Sequence, residues 1–305
     1  MARRVVAGVG RALIGLGVLI LLFVAYQLWG TNLSESSSQH DLGQQFQAEL
    51  RSARPPASTT TTSVVPRPGG DPCQAAPAAP ASAARPTEGQ PLGIIRIPKI
   101  GVDKYFVEGT GEPDLKKGPG HYPGTPMPGE TGNAAIAGHR TTYGAPFYNL
   151  NALNPGDAIC VTTLHGNFTY LMTGSKVVVP TDVSVIGPTS FPQLTLTTCN
   201  PRFSAAQRLV IFARLDTTVT AALPAPKRDV APVTAASPDV LTEGTSKAIV
   251  PTVGWGLGCI AVALLAWGLA RRWRRLPAYL VAAPVFLVLL YFFFEIVSRI
   301  LPSSI

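Results

Sequence analysis

Cysteine and histidine are scarce in this sequence, four of each among 305 residues. Cys73, Cys160, Cys199 and Cys259 make no Cys-x-x-Cys pair and no mixed Cys/His cluster at zinc-ligand spacing, so no metal centre is expected. The acidic residues gather into no loop that could hold calcium, and no cofactor is expected. The formal net charge of +8 is not a nucleic-acid signal. Arg3, Arg4, Arg11, Arg271, Arg272, Arg274, Arg275 and Arg299 flank apolar segments. Setting these and Glu295 aside leaves 17 basic against 16 acidic residues. The excess therefore reports membrane topology, since Lys and Arg collect on the cytoplasmic side of a span.

Long apolar runs are present, and they divide the chain. Ala12–Trp29 follows three arginines and is long enough to cross a bilayer as a helix. The bulky Tyr26-Gln27-Leu28-Trp29 offers no small-x-small cleavage site, which favours an uncleaved signal-anchor over a removed signal peptide. Residues 1–30 thus read as a cytoplasmic stub and anchor. Residues 31–91 carry the Pro/Ala/Ser/Thr runs Thr59–Ser63 and Ala75–Arg85, with no apolar periodicity, and are expected to be a disordered stalk. Residues 217–249 form a second linker. Val250–Ala270 and Leu280–Ile296 are two further candidate spans on either side of a basic loop, 271–279, with a short tail at 298–305. An N-in arrangement of about three spans, with the intervening domain outside the cell membrane, satisfies every basic cluster. In that oxidising exterior Cys73 and Cys160 could pair; spacing alone leaves this open.

What remains, residues 92–216, reads as all-β. Candidate strands are Gly93–Ile97, Lys104–Val107, Ala134–Ala137, Asp157–Thr163, Phe168–Met172, Lys176–Val179, Gln193–Thr198 and Arg208–Leu215, with Val183–Ile186 as a short extra. Gly, Pro and Asn punctuate them at short intervals, the pattern of a sandwich or barrel. One short helix is expected at Phe147–Leu153, before Asn154-Pro155-Gly156.

Within this domain the run Gln193–Thr198 alternates apolar and polar residues, ends in Cys199, and is broken by Asn200-Pro201. A thiol at a strand end is held rigidly and can still be reached. Arg208 opens the next apolar run, and a hairpin would return its guanidinium to the sulfur. Upstream, Asn133–Ala137 leads into Gly138-His139-Arg140. A Cys, a His and an Arg at strand termini suit a nucleophile, an acid/base and an oxyanion partner. The bland alternatives are a buried structural thiol and a solvated strand-edge arginine, with Arg202 and Arg214 as rivals to Arg208. His121 is the rival histidine; His40 falls in the stalk and His165 in a hairpin turn.

Leu194-Thr195-Leu196-Thr197-Thr198-Cys199 followed by Arg208, with Ala137-Gly138-His139 upstream, resembles the sortases, membrane-anchored cysteine transpeptidases of the Gram-positive surface. Gly118-Pro119-Gly120-His121-Tyr122-Pro123-Gly124-Thr125 and the stretch Gly138–Gly144 are similar to the actinobacterial group called class E. The resemblance covers roughly Gly93–Leu215. It implies a closed β-barrel of about eight strands with short helices, lying outside the transmembrane helices. It makes Cys199 the nucleophile, His139 the acid/base and Arg208 the group that positions substrate and stabilises the oxyanion. Tyr122, in the GPGHYPGT stretch, and Thr198, next to the thiol, are candidates to line the substrate groove, with a structural role the equal alternative for each. It further implies thiol endopeptidase and transpeptidase chemistry on the Thr–Gly bond of an LAxTG- or LPxTG-like sorting signal of secreted proteins. The acceptor is an amine of a cell-wall (peptidoglycan) precursor. Pilus polymerisation is the close variant; Asp71-Pro72 could begin a pilus-type lid, but Cys73 stands where an aromatic would follow. A non-catalytic envelope scaffold is the alternative of another class.

Overall fold

The computed structural model describes residues 2–53, 73, 87–219, 222–223, 249–272 and 275–298. Two compact units divide them: Met1–Trp29 with Gly244–Ser303, and Gly30–Glu243 with the last two residues.

The first unit contains α1 (Ala2–Ala25), and the second opens with α2 (Thr31–Ala53). The second unit also holds eight strands among the described residues: β1 (Pro91–Ile97), β2 (Val102–Glu108), β3 (Gly120–His121), β4 (Asn133–Ala137), β5 (Ala158–Thr163), β6 (Gly166–Val178), β7 (Gln193–Asn200) and β8 (Gln207–Leu215). A short helix, α3 (Glu112–Leu115), lies between β2 and β3. The strands close into a barrel in the order β1-β2-β3-β4-β7-β8-β6-β5. The β2–β3 and β4–β7 pairs are parallel and the others antiparallel. Closure leaves no sheet edge to pair with other chains.

Alternation along the strands produces two cores. Leu194 and Leu196 of β7 join Leu209, Ile211 and Ala213 of β8, Ile136 of β4 and Phe106 of β2 inside the barrel. A second cluster covers the outer face of β4 and β8, where Leu115, Tyr122, Val185 and Ile186 pack on Ala135, Ala137 and Val210. The β4–β7–β8 region is therefore buried on both faces.

Several expected elements change. The two strands foreseen at Phe168–Met172 and Lys176–Val179 are one, β6, whose register shifts between Met172 and Gly174; a glycine in a strand accommodates such a bulge. Val183–Ile186 is a 3-10 turn, because Asp182 accepts from the Ser184 N–H and curls the chain. The helix expected at Phe147–Leu153 shortens to a turn at Leu150–Ala152. The stalk expected over residues 31–91 is corrected at its start, where residues 31–53 form α2 and bury Leu42 and Phe46. Of residues 54–86 only Cys73 is described, and it is disulfide-bonded to Cys160 of β5. Most of the linker at 217–249 and the tail at 298–305 lie outside the described residues.

The first unit also contains α4 (Ile249–Arg272) and α5 (Arg275–Ser298). Tyr26 donates to Glu295 at 2.5 Å, and Phe23 meets Phe294 edge-on at 5.2 Å. Among the described residues one helical stretch, Val6–Ala25, is long and apolar enough by length and composition to cross a membrane; the apolar stretches Gly254–Ala266 and Ala282–Val297 are shorter.

Five of the eight tyrosines, Tyr105, Tyr122, Tyr143, Tyr148 and Tyr170, lie in the barrel unit, so the tyrosine band of the near-UV circular dichroism carries a signal of its tertiary packing. Ile136→Ala opens a cavity in the barrel interior and is expected to lower stability by about 2–5 kcal/mol in urea unfolding followed by that signal. A loss below ~1 kcal/mol would mean the site can collapse.

Candidate active site

Side chains on β7 alternate between the two cores. Leu194 and Leu196 point into the barrel, so Thr195, Thr197 and Cys199 share the outer face. On the antiparallel neighbour β8, Thr197 pairs with Val210 and Cys199 with Arg208. The pairing is direct, and Arg208 Nη1 lies 3.4 Å from Cys199 Sγ. Two carbonyls, Ala205 of the β7–β8 loop at 3.1 Å and Gln207 at the start of β8 at 3.2 Å, accept from the same nitrogen and fix the guanidinium.

The other neighbour of β7 is parallel β4, whose Ala137 pairs with Thr197. Continuing that register two residues brings His139 level with Cys199. Hydrogen bonds hold the continuation: Gly138 N–H donates to Thr197 O at 3.1 Å, and Thr198 Oγ1 donates to Gly138 O at 2.7 Å. A Cβ at Gly138 would come within 2.6 Å of the Phe147 ring, which is why glycine precedes the histidine. Cys199 thus occupies the middle strand, with the His139 segment on one side and Arg208 on the other. All three side chains are buried.

Arg140 adds a tie that the sequence reading did not single out. Its Nη1 donates to Cys199 O at 2.9 Å and Asn200 Oδ1 at 2.8 Å, and its Nη2 to Asn151 Oδ1 at 3.0 Å. The only signal in the sequence was its place next to His139. Burial pushes the Cys199 thiol above its ordinary pKa; the Arg208 guanidinium, and after it Arg140, pull it back. Two cations thus favour the thiolate, the reactive form, where burial alone would suppress it.

The rival side chains have other work. His121 is fully buried, with Nδ1 2.8 Å from Glu108 Oε2 and Nε2 2.9 Å from Pro126 O. His40 lies on α2, 2.8 Å from Gln44, and His165 in the β5–β6 turn. Arg202 stacks over Tyr148 at 4.1 Å, and Arg214 over Phe191 at 4.5 Å. Tyr122 and Thr198 adjoin the site but face the framework. The Tyr122 hydroxyl is 2.9 Å from Thr197 Oγ1, and burial pushes its pKa up to about 12. Thr198 is spent on the Gly138 carbonyl. Among the described residues no group of three His, Cys, Asp or Glu could hold a metal ion.

A family model of the sortase domain matches residues 95–216, the barrel with all of these side chains. Sortase SrtE1 of Streptomyces coelicolor is 32% identical over 68% of this chain and 56% of its own length. Sortase D of Bacillus subtilis is 38% identical over 43% of this chain and 66% of its own. The chain belongs to the sortase family. A solved variant of sortase E from Streptomyces avermitilis is 42% identical, covering 43% of this chain and 91% of that one, with a TM-score of 0.40. The chain spans between half and two thirds of the length of these curated relatives. Sortases are cysteine transpeptidases, and the sortase segment of this chain contains one free cysteine, Cys199.

Removing the nearest positive charge raises the Cys199 pKa further. In a Cys259→Ser background, Arg208→Gln is therefore expected to slow iodoacetamide alkylation at neutral pH by roughly three- to tenfold. The rate–pH curve moves to higher pH. An unmoved curve would show that the guanidinium does not act on the sulfur.

Proposed function

We propose that this sortase cleaves the Thr–Gly bond of a C-terminal sorting signal of the LAxTG or LPxTG kind and transfers the threonyl end to an amine of a cell-wall precursor. The observation that carries the reading is the flanking of Cys199 by Arg208 on β8 and by the His139 segment after β4. In the first half-reaction Cys199 Sγ, as thiolate, attacks the threonine carbonyl carbon. Arg208 donates hydrogen bonds to the oxygen as it becomes negative. The C–N bond breaks, protonated His139 gives its proton to the departing glycine nitrogen, and a thioester remains. In the second, an acceptor amine attacks that thioester, loses its proton to His139, and expels the Cys199 thiolate. Atoms and charge balance across the cycle with no cofactor. The proton is shared between thiol and imidazole, so apparent pKa values belong to the pair.

Arg140 holds the Cys199 carbonyl and keeps the strand end in place while the sulfur changes partners. The Thr198–Gly138 hydrogen bond couples strand β7, which carries the thiol, to the segment after β4, which carries the imidazole. Tyr122 and Thr198 act through this framework, at the margin of the peptide groove.

The membrane reading belongs to the same proposal. The Val6–Ala25 stretch anchors the chain with Arg3 and Arg4 in the cytoplasm, and α4 and α5 cross as two further spans on either side of the arginine-rich sequence 271–275. The Tyr26–Glu295 hydrogen bond supports this, since a carboxyl group near lipid needs a partner. The barrel then faces the cell exterior, where the Cys73–Cys160 disulfide is stable.

The test uses the full chain in detergent micelles with fluorogenic LAxTG and LPxTG peptides and a free amine acceptor. Intact-mass analysis is expected to show a thioester adduct that Cys199→Ala abolishes and the amine discharges. A folded protein that forms no adduct with either peptide would favour the non-catalytic scaffold.

A further inference from the structure

Helix α2 precedes the segment matched to the sortase domain, yet it packs on that segment. Thr31, Glu35, Gln39, Leu42 and Phe46 recur at spacings of four, four, three and four, which puts them on one face. The lower part of that face is a dock. Leu42 and Phe46 are buried, and the Phe46 ring lies 6.0 Å from Tyr105. Gln39 accepts from Tyr105 N–H at 2.8 Å and donates to Tyr105 O at 2.9 Å and Lys117 O at 2.8 Å. Glu35, also buried, pairs with Lys104 of β2 at 2.6 Å.

The first turn of α2 reaches a different place. Thr31 Oγ1 accepts from the Tyr143 N–H at 3.3 Å, and Asn32 Oδ1 from the Gly144 N–H at 2.9 Å. The Glu35 carboxylate lies so close to Gly144 that a Cβ there would stand 2.5 Å from it, and Gly144 has φ of +74°. Its neighbours Tyr143 and Ala145 have φ of +48° and +42°, left-handed conformations that persist only when surrounding contacts enforce them. This strained turn is the one that supports His139. The Tyr143 ring lies 5.1 Å from the His139 ring, and Phe147 N–H donates to His139 O at 3.1 Å. A continuous set of contacts therefore runs from Thr31, Asn32 and Glu35 through Tyr143 and Gly144 to the imidazole.

We propose that the first turn of α2 is a positioning element for His139, with Thr31 and Asn32 as its acceptors; the inference rests on the acid/base role given to that histidine. The helix dock brings the acceptors to the loop, the acceptors fix the turn at residues 143–145, and the turn sets the ring. A proton donor displaced by an ångström loses much of its rate advantage while peptide binding is little affected. The effect therefore falls on kcat more than on KM.

The test compares full-length protein in micelles with the double variant Thr31→Ala/Asn32→Ala and the acceptor-retaining Thr31→Ser/Asn32→Asp. The alanine pair is expected to lower kcat about tenfold with KM within about twofold. It also speeds amide hydrogen exchange at residues 141–147 and leaves exchange in β7 and β8 unchanged. The acceptor-retaining pair keeps kcat within about twofold of the parent. An alanine pair with kcat unchanged or raised, unaltered exchange at 141–147, or an equal loss in both pairs overturns the proposal. His139→Ala run in parallel separates the two readings. If that variant keeps full activity, the acid/base assignment fails. If it is inactive while the alanine pair is not slowed, the role of α2 alone fails.

Discussion

In an antiparallel pair a slip of one residue turns every side chain to the opposite face. The register of β7 on β8 therefore sets both the barrel interior and the site at once. It places Leu194 and Leu196 against Ala213 and Ile211, and by the same count places Cys199 against Arg208. The parallel register of β4 on β7 does the rest, carrying His139 to the level of Cys199 from the other side. Hydrophobic burial in the interior thus enforces the juxtaposition of a thiol and a guanidinium that have little reason to associate by themselves. The outer cluster of Leu115, Tyr122, Val185 and Ile186 then encloses the strands from the other face.

That enclosure has an electrostatic consequence. A buried thiol resists ionisation, and a buried arginine must be hydrogen-bonded. Arg208 and Arg140 meet the second demand with carbonyl and amide oxygens of the loops around Cys199, and in doing so relieve the first. His121 shows the contrasting solution, a buried imidazole beside a buried carboxylate that braces the β3–β4 connection.

How much of this could be read beforehand depended on which residues carried the information. The β7–β8 hairpin was legible because Leu-Thr alternation, the Asn200-Pro201 break and the following apolar run each point to it. The words around Cys199 and His139 point to the candidate site. Helix α2 was not legible, because its inward stripe is the buried Thr31, Glu35, Leu42 and Phe46 with the half-buried Gln39, and three of the five are polar. Their burial depends on partners in distant segments, Tyr143, Lys104 and Tyr105, that no local pattern reveals. Strand β3 is only two residues long and pairs parallel to β2, so it has no periodicity to detect. Arg140 is hidden in the sequence for a similar reason: its partners, Cys199, Asn200 and Asn151, meet only in three dimensions. For Tyr122 and Thr198 the sequence offers a groove role and a structural one equally, and their hydroxyls hold the framework.

The most direct test of the central assignment is an experimental structure of the full chain with Cys199 acylated by a sorting-signal peptide mimic. The account predicts the thioester carbonyl oxygen within about 3.2 Å of an Arg208 guanidinium nitrogen, with the His139 ring on the opposite side of the sulfur. A carbonyl oxygen turned away from Arg208, with the guanidinium still held by Ala205 and Gln207, would contradict it.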